Sequence, residues 1–259
     1  MKIENVQQAA RRLVEAWQDG SQIGPLPESC RPRTLAEAYR VQDAIAKSLG
    51  AEVGGWKVGA TGMGARKLLK ARGPFAGRIF AGRIFESGVA IPSDAYPLRG
   101  LEGEIAFKLA KDLPGRAKPY RLAEVKKAIG SVHPAIEIVA PRWTDWLAVG
   151  LPSLVADHGA NAALVLGKPF AKGTELDLDG MAVEMRVDGA TIGKGTGADV
   201  LGGPHASLLW LANALRRRGG LKAGQIVSTG TCTGLFKAPP KAKVAALYGG
   251  KPRVELRFV

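Results

Sequence analysis

Apolar residues recur at helical spacing in the first fifty residues of the chain. In the first segment they fall three or four positions apart, and they are Ile3, Val6, Ala10, Leu13 and Trp17. This pattern predicts an amphipathic helix over 3–19 that ends at Gly20. The sequence Thr34-Leu35-Ala36-Glu37 is typical of a capping box and predicts a second helix that runs to Gly50.

The rest of the chain alternates between short strand patterns and a few helices. Strands are predicted at 54–59, 101–109, 132–139, 226–229, 244–248 and 253–258. The alternation from Val183 to Val187 leads into Asp188-Gly189, a typical hairpin turn. Helices are predicted within 61–75, through Leu122 to Gly130, and from Pro204 to Gly219. The order of elements therefore predicts an α+β protein whose second half is mostly β.

Composition limits the classes of protein that this sequence can encode. With 259 residues, 46% hydrophobic and 23% charged, the chain can bury an ordinary globular core. We expect one domain over 1–259, with the helical section 1–50 packed on it. The net charge of +14 favours anionic partners, either nucleic acid or small carboxylates. Aromatic residues make up only 6% of the chain and the basic residues are dispersed, which argues against nucleic acid.

The sequence also carries indications of its compartment. No apolar run approaches the roughly 18 residues of a membrane span, and the first residues have no apolar signal region. Cys30 and Cys232 are expected to be unpaired, and without a Cys-x-x-Cys motif they predict no thiolate zinc site. We therefore expect a cytoplasmic protein that does not bind membranes.

Three glutamates are the strongest candidates for chemistry. Glu102 and Glu104 lie on one face of the strand predicted at 101–109, about 6.6 Å apart, where their charges repel unless a cation lies between them. Glu137 lies inside the apolar run of another strand, where a bare carboxylate is costly. An all-oxygen set of this kind suits magnesium, manganese or calcium. The alternatives are a solvated edge strand for the first pair and, for Glu137, an ion pair with an arginine such as Arg142.

Two further segments have candidate roles. Lys57 lies in a short strand among glycines and apolar residues, where it is either functional or a solvated edge residue. The segment 228–234 is rich in glycine and hydroxyl residues, so it can present N–H groups and hydroxyls to a substrate carboxylate or can be a simple tight turn.

Several blocks in one order resemble a known family. They are Gly55-Trp56-Lys57-Val58-Gly59, Leu101-Glu102-Gly103-Glu104-Ile105-Ala106, Pro134-Ala135-Ile136-Glu137-Ile138-Val139, Gly203-Pro204 with Leu209-Trp210-Leu211-Ala212-Asn213, Leu221-Lys222-Ala223-Gly224-Gln225-Ile226-Val227, and Thr229-Gly230-Thr231. This series is similar to the 2-keto-4-pentenoate hydratase and 4-oxalocrotonate decarboxylase family of the fumarylacetoacetate hydrolase superfamily, over nearly the whole chain.

The resemblance implies an architecture and a site. It implies a mixed β-sheet roll or sandwich of the fumarylacetoacetate hydrolase type with an N-terminal helical section, a single catalytic domain and a homo-oligomer. It also implies Mg²⁺ or Mn²⁺ and a small 2-oxo acid substrate. The residues that match the family pattern are Glu102, Glu104 and Glu137 as metal ligands, Lys57 as the catalytic lysine near the oxo group, Gly230 and Thr231 at the substrate carboxylate, and Asp157 as a residue that either supports the residues of the site or orients water. Because the setting of Lys57 is partly apolar, we expect the pKa of its amine to be lowered enough for acid–base chemistry.

The activity that the resemblance implies is addition of water to a 2-hydroxypenta-2,4-dienoate-like substrate through a metal-stabilised enolate. Decarboxylation of a 4-oxalocrotonate-like diacid shares that enolate and remains an alternative. An acylpyruvate-type C–C hydrolase is disfavoured, because such hydrolases use a histidine ahead of the metal-binding strand and the three histidines here, His133, His158 and His205, all follow Glu104. A family acid is expected where this chain has Gly82, and its loss favours a further alternative, a non-catalytic scaffold.

Overall fold

The computed structural model describes residues 1–171 and 176–259. Its helices are α1 (Ile3–Asp19), α2 (Leu35–Leu49), α3 (Met63–Leu69), α4 (Leu122–Lys126), α5 (Leu151–Ala156) and α6 (Pro204–Leu215). Its strands are β1 (Val53–Gly59), β2 (Phe75–Phe80), β3 (Ile84–Glu86), β4 (Val89–Ile91), β5 (Gly100–Leu109), β6 (Leu113–Pro114), β7 (Ile129–Val139), β8 (Asn161–Leu166), β9 (Ala182–Val187), β10 (Ala190–Thr196), β11 (Gly220–Leu221), β12 (Ile226–Thr231), β13 (Phe236–Lys237), β14 (Lys243–Tyr248) and β15 (Lys251–Phe258). No helix in these ranges has the length and hydropathy needed to cross a bilayer.

The two N-terminal helices begin and end where the sequence predicts. The Thr34 hydroxyl accepts a hydrogen bond from the Glu37 N–H at 3.2 Å, and Gly50 ends α2 in a left-handed conformation. The apolar faces of α1 and α2 are buried together with Phe75, Phe80 and other apolar residues of the strands. The helical section therefore shares a hydrophobic core with the sheet that carries the glutamates.

The larger sheet positions the candidate site. Among the described residues it has eight strands in the order β2-β1-β12-β5-β7-β8-β3, with β13 also paired to β5. The pairs β1–β12 and β3–β8 are parallel and the others are antiparallel, so the predicted mixed sheet is confirmed. Strand β5 lies near the centre, and its face opposite the carboxylates contributes fully buried side chains to the core, namely Leu101, Ile105 and Phe107.

A smaller sheet packs against the back of β5 and β7. Its order is β10-β9-β14-β15-β4, and Asp188-Gly189 forms the predicted β9–β10 hairpin. The Tyr248 hydroxyl on β14 lies 2.6 Å from the carbonyl oxygen of Glu104 and 2.8 Å from that of Ala135. This contact fixes the backbone of both strands next to a candidate metal ligand.

One sequence prediction about elements is wrong, and one strand next to the candidate site was missed. Helix α4 ends at Lys126, and Ile129 begins β7 instead of continuing the helix to Gly130. Strand β8 was not predicted, because it lacks the alternation of a half-exposed strand: five of its six residues are buried.

Candidate active site

The sheet brings the three glutamates together. Glu102 lies directly opposite Glu137 in the β5–β7 ladder, and Glu104 is two residues along the same face of β5. One carboxylate oxygen from each glutamate lies within 4.8 Å of the others. Glu104 and Glu137 are fully buried, and Glu102 is half-buried. The solvated edge strand that the spacing left open is therefore wrong.

The two buried carboxylates each have one partnered and one unpartnered oxygen. Oε1 of Glu137 accepts hydrogen bonds from Lys57 Nζ and Asn161 Nδ2, both at 2.9 Å. Oε2 of Glu104 accepts hydrogen bonds from Ser228 Oγ at 2.5 Å and from the Gly230 N–H at 2.9 Å. Oε2 of Glu137 and Oε1 of Glu104 are buried without a hydrogen-bond partner in the described part of the chain.

This arrangement suits a divalent cation. A buried carboxylate oxygen without a partner is costly, and a bound cation would satisfy both unpartnered oxygens. The donors are all oxygens, which favours a hard cation over zinc in a thiolate or imidazole site. Glu102, Glu104 and Glu137 therefore fit a divalent metal ion, and Lys57, Asn161, Ser228 and Gly230 hold two of these ligands in place.

Crowding of charge shifts the pKa values in the cluster. Burial, together with the charge of Glu137, raises the pKa of Glu102 to about 7 although Lys57 opposes the shift. Burial and the two neighbouring glutamates also raise the pKa of Glu104 well above its usual range. For Lys57, burial disfavours the charged form, but the three carboxylates outweigh it and raise the pKa of the amine. This direction is opposite to the lowering that the sequence suggested from an apolar setting.

Strand β1 directs Lys57 into the cluster from the side opposite β7. The lysine is almost completely buried, and its ammonium group also donates to the carbonyl oxygen of Gly159 at 3.3 Å. Gly77 on β2 makes room for this arrangement, since a Cβ atom there would lie 2.1 Å from the His158 carbonyl oxygen and 3.0 Å from Lys57 Cγ. The solvated edge position that was open for Lys57 is not what the fold produces.

A cavity of about 600 Å³ leads to the cluster. Its lining includes Lys57, Glu102 and Thr231, together with residues of α3 and of the segment after β12. A small acid that entered this cavity would reach the carboxylate cluster and the lysine together. The cavity therefore joins the candidate metal ligands to a space for substrate.

Thr231 and Gly230, the two candidates for binding the substrate carboxylate, have different surroundings in the structure. Thr231 lines the cavity, but its hydroxyl donates to the Gly234 carbonyl at 3.1 Å and accepts from the Gly234 N–H at 2.9 Å. The Gly230 N–H is directed at Glu104, so it supports a candidate metal ligand. Gly230 has φ +116, and a Cβ atom there would lie 2.4 Å from Thr61 Oγ1.

Asp157 lies in a separate buried network. Its Oδ1 accepts from Arg142 Nε at 2.6 Å and from Trp17 Nε1 at 3.2 Å, and its Oδ2 accepts from the Arg142 N–H at 2.9 Å. Arg142 therefore pairs with Asp157, and the suggested ion pair between Arg142 and Glu137 is wrong. Asp157 does not line the cavity, so this placement offers it no contact with water beside the carboxylate cluster.

The histidines and Gly82 also lie outside the cavity. His158 is fully buried against Trp17 and Phe80, with ring centroids 5.9 and 5.1 Å away, and burial lowers its pKa well below the usual range. His133 lies within hydrogen-bond distance of Ser131 and the Gly167 carbonyl, and His205 stacks on Phe107. Gly82 occupies an exposed turn with open space around it.

Sequence reasoning missed Asn161, and it assigned Ser228, within the segment 228–234, to a substrate carboxylate and not to Glu104. Asn161 begins β8 and Ser228 lies in β12, and both are fully or almost fully buried. Asn161 is a polar residue in an otherwise apolar strand, which is the kind of pattern that singled out Glu137, whereas Ser228 lies among threonine and glycine residues. Because β8 was not predicted from the sequence, Asn161 could not be recognised as a polar residue within an apolar strand.

Comparison with known proteins gives consistent results. Residues 71–252 match the family model described as fumarylacetoacetate (FAA) hydrolase C-terminal. A 2-keto-4-pentenoate hydratase of Paraburkholderia xenovorans (strain LB400) is 32% identical over 240 residues, which cover 90% of this chain and 87% of that protein. A 2-hydroxyhexa-2,4-dienoate hydratase of Comamonas testosteroni is 31% identical over 259 residues, which cover 98% of this chain and 97% of that protein.

A solved structure is similar throughout. It is 4-oxalocrotonate decarboxylase from Pseudomonas putida G7 complexed with magnesium and adipate, with a TM-score of 0.91 and 26% identity, covering 100% of this chain and 99% of that one. Both the predicted fold and the resemblance of the sequence blocks are thereby confirmed.

Proposed function

Because the chain belongs to the fumarylacetoacetate hydrolase family, we propose that it is a metal-dependent hydratase that adds water to a 2-hydroxypenta-2,4-dienoate-like substrate. One observation carries the proposal: three glutamates form a cluster beside Lys57 and an open cavity, and two of them are buried with an unpartnered oxygen each. The hydratase names of relatives that align over most of the chain support the choice of reaction.

The metal ion is proposed to be Mg²⁺ or Mn²⁺, held by Glu102, Glu104 and Glu137. When bound, such an ion supplies a Lewis acid to the carboxylate and oxo oxygens of a 2-oxo acid and lowers the cost of removing a proton from C3. The presence of magnesium in the similar decarboxylase structure supports this choice. The oxygen-only donor set agrees with it.

The other polar residues at the cluster would act on the substrate or hold the glutamates in place. Lys57 Nζ is a hydrogen-bond donor at the inner end of the cavity, where it stabilises negative charge on the substrate or carries a proton. Asn161 and Ser228 fix the rotamers of Glu137 and Glu104. Thr231 contributes to the cavity wall next to these groups.

Decarboxylation of a 2-oxo-3-enedioate is the second candidate. It is favoured by the overall similarity to 4-oxalocrotonate decarboxylase, with its TM-score of 0.91. Both reactions need an enolate of the same 2-oxo acid unit, so the cluster alone serves either one. Release of carbon dioxide from 4-oxalocrotonate, compared with water addition to 2-hydroxypenta-2,4-dienoate, separates the two.

The first test is deuterium incorporation at C3 of 2-oxopentanoate in D₂O, followed by NMR. We expect exchange with magnesium, none with a chelator, and a loss of at least a hundredfold in Glu104→Gln. Glu86→Gln is the matched control, because Glu86 is an exposed strand glutamate outside the cavity. If bound metal produces no exchange, the proposal fails and the scaffold alternative is favoured.

Three expectations from the sequence remain predictions. They are a homo-oligomer, a cytoplasmic location, and a single domain over 1–259 with section 1–50 packed on it. Analytical ultracentrifugation of the purified protein tests the first. Cell fractionation tests the second, and limited proteolysis tests whether 1–50 is released separately.

A further inference from the structure

Both groups that the sequence suggests for the substrate carboxylate already form hydrogen bonds within the protein. The Gly230 N–H donates to Glu104 Oε2 at 2.9 Å. The Thr231 hydroxyl donates to the Gly234 carbonyl oxygen at 3.1 Å. A substrate that used either donor would have to break one of these bonds. Another donor in the cavity wall is therefore the better candidate for binding that carboxylate.

Thr61 carries a hydroxyl that is free to bind a ligand. It lies two residues after the end of β1, in the wall of the cavity, and it is only 5% exposed. No described residue forms a hydrogen bond with its Oγ1, yet this oxygen is not sealed from solvent as the unpartnered oxygens of Glu104 and Glu137 are. A threonine hydroxyl can donate one hydrogen bond and accept others, so a ligand in the cavity can use this group fully.

The packing of Thr61 places its hydroxyl beside the glutamate cluster. A Cβ atom added to Gly230 would lie 2.4 Å from Thr61 Oγ1, so the hydroxyl packs closely against this glycine. The N–H of the same glycine donates to Glu104. One residue thus contacts both the free hydroxyl and a candidate metal ligand, and a molecule bound at the cluster would have Thr61 next to it.

The main chain before Thr61 is held in an unfavourable conformation. Ala60 has φ +54, a left-handed conformation that is uncommon for a residue with a side chain. The Arg66 guanidinium, from α3, holds this turn by donating to the carbonyl oxygens of Ala60 at 2.9 Å and Thr61 at 3.3 Å. Strain of this kind persists where the surrounding contacts enforce it, and it is concentrated at ligand-binding and catalytic sites. The turn at Ala60 therefore points to a function for the residue that follows it.

The chemistry of a 2-oxo acid leaves a place for such a donor. When a 2-oxo acid chelates a metal ion through one carboxylate oxygen and its oxo group, the other carboxylate oxygen is left for the protein to bind. A hydroxyl can donate to that oxygen, and a hydrogen bond to a charged acceptor is stronger than one between neutral groups. Thr61 offers this donor without the loss of an existing bond.

From these observations we infer that Thr61 binds the substrate, with its hydroxyl donating a hydrogen bond to the substrate carboxylate, and that Arg66 is a positioning residue that holds Thr61 in place. This inference rests on the proposed function, because it concerns the same 2-oxo acid. It gives the carboxylate a donor that the sequence did not single out, in place of Gly230 and Thr231.

Thr61→Val tests the hydroxyl, because it keeps nearly the same shape and removes the donor. The dissociation constant of 2-oxopentanoate is measured by calorimetry in the presence of magnesium, and that of manganese is measured without the acid. We expect the acid to bind at least about tenfold more weakly, since a hydrogen bond to a charged group is lost, and manganese to bind as it does to the parent. Thr61→Ser retains the hydroxyl and should restore most of the affinity for the acid.

Thr144→Val is the matched control for Thr61→Val. The Thr144 hydroxyl also has no hydrogen-bond partner among the described residues, but Thr144 is exposed and lies outside the cavity wall. This variant should bind the acid as the parent does.

Arg66→Met tests the positioning residue. Without the guanidinium the carbonyl groups of Ala60 and Thr61 are released, so we expect weaker binding of the acid and unchanged binding of manganese. Lys67→Met is the control, because Lys67 is the exposed neighbour of Arg66 in α3 and does not line the cavity. Equal affinity of Arg66→Met and Lys67→Met for the acid would contradict the positioning role.

Affinity for the acid tests the inference, and C3 exchange tests the proposed function. Weaker acid binding by Thr61→Val would support the inference even if the parent exchanged no C3 protons, which would contradict the hydratase. Parental acid affinity in Thr61→Val, with exchange intact, would overturn the inference and leave the proposed function standing. Equal losses of acid and manganese affinity would show that the substitution displaces Glu104, and would also overturn the assigned contact. A parent that binds no 2-oxo acid would overturn both.

Discussion

Lys57 and Glu137 form a buried ion pair, with Nζ 2.9 Å from Oε1. The lysine comes from β1 and the glutamate from β7, and the strands between them are β12 and β5. The pair therefore spans the width of the site and places a positive charge among three carboxylates. The other oxygen of Glu137 is buried without a hydrogen-bond partner among the described residues.

Lys57→Met removes the positive charge that balances the cluster. Breaking a buried pair leaves an uncompensated charge, so we expect the variant to lose about 3–5 kcal/mol of unfolding free energy in the presence of a chelator. C3 exchange should also be lost. Thermal melts with chelator and with magnesium measure the first effect, and magnesium should raise the melting temperature more in the variant than in the parent.

Lys194→Met is the control for this change. Lys194 also lies near a glutamate, but its side chain is 69% exposed, so its removal should leave stability almost unchanged. Equal stability of Lys57→Met and Lys194→Met would contradict a central electrostatic role for Lys57.

Ser228→Ala tests the support of Glu104. Its hydroxyl donates to Glu104 Oε2, so removing it frees the ligand to rotate and should weaken metal affinity by about 10–100-fold. Ser207→Ala is a close match, because Ser207 is equally buried and also donates a short hydrogen bond, but to the Thr229 carbonyl. Calorimetric titration with manganese should show weakened binding only in Ser228→Ala, and equal loss in both would refute the assigned role.

The contrast between Ser228 and the glutamates shows what could be predicted from sequence. A carboxylate in an apolar strand is conspicuous in the sequence, which makes Glu137 a candidate, and the spacing of Glu102 and Glu104 puts two carboxylates on one face of a strand. The position of Ser228 beside Glu104 depends on β12 pairing with β5, which joins residues more than a hundred positions apart. A serine among glycines and threonines carries no such signature by itself.

The helix cap of α2 could be predicted from neighbouring residues, whereas the ion-pair partner of Glu137 could not. Thr34 and Glu37 are neighbours along the chain, so the start of α2 followed from local chemistry. The suggested partner of Glu137 was Arg142, five residues on, yet the chain leaves β7 at Val139 and Arg142 reaches Asp157. Proximity in sequence therefore predicted a cap correctly and an ion pair wrongly.

Gly230→Ala tests the turn that supports Glu104 from the backbone. A Cβ atom at this position would lie 2.4 Å from Thr61 Oγ1, so the N–H that binds Glu104 must move. Gly234→Ala is the control: Gly234 also has a positive φ, but the nearest atom to a Cβ there would be Cε2 of Phe236, at 3.6 Å. We expect both variants to lose stability through backbone strain of about 1–3 kcal/mol, and only Gly230→Ala to bind manganese more weakly.

Asp157→Asn distinguishes a structural residue from one that acts on water. The substitution leaves Arg142 buried without its counter-charge, so the unfolding free energy should fall by about 3–5 kcal/mol. Because Asp157 lies outside the cavity, the variant that remains folded should bind manganese and exchange C3 protons as the parent does. Denaturant titration and NMR exchange, corrected for the folded fraction, measure the two effects. A variant with parental stability whose exchange is abolished would restore the water-orienting role that the sequence suggested.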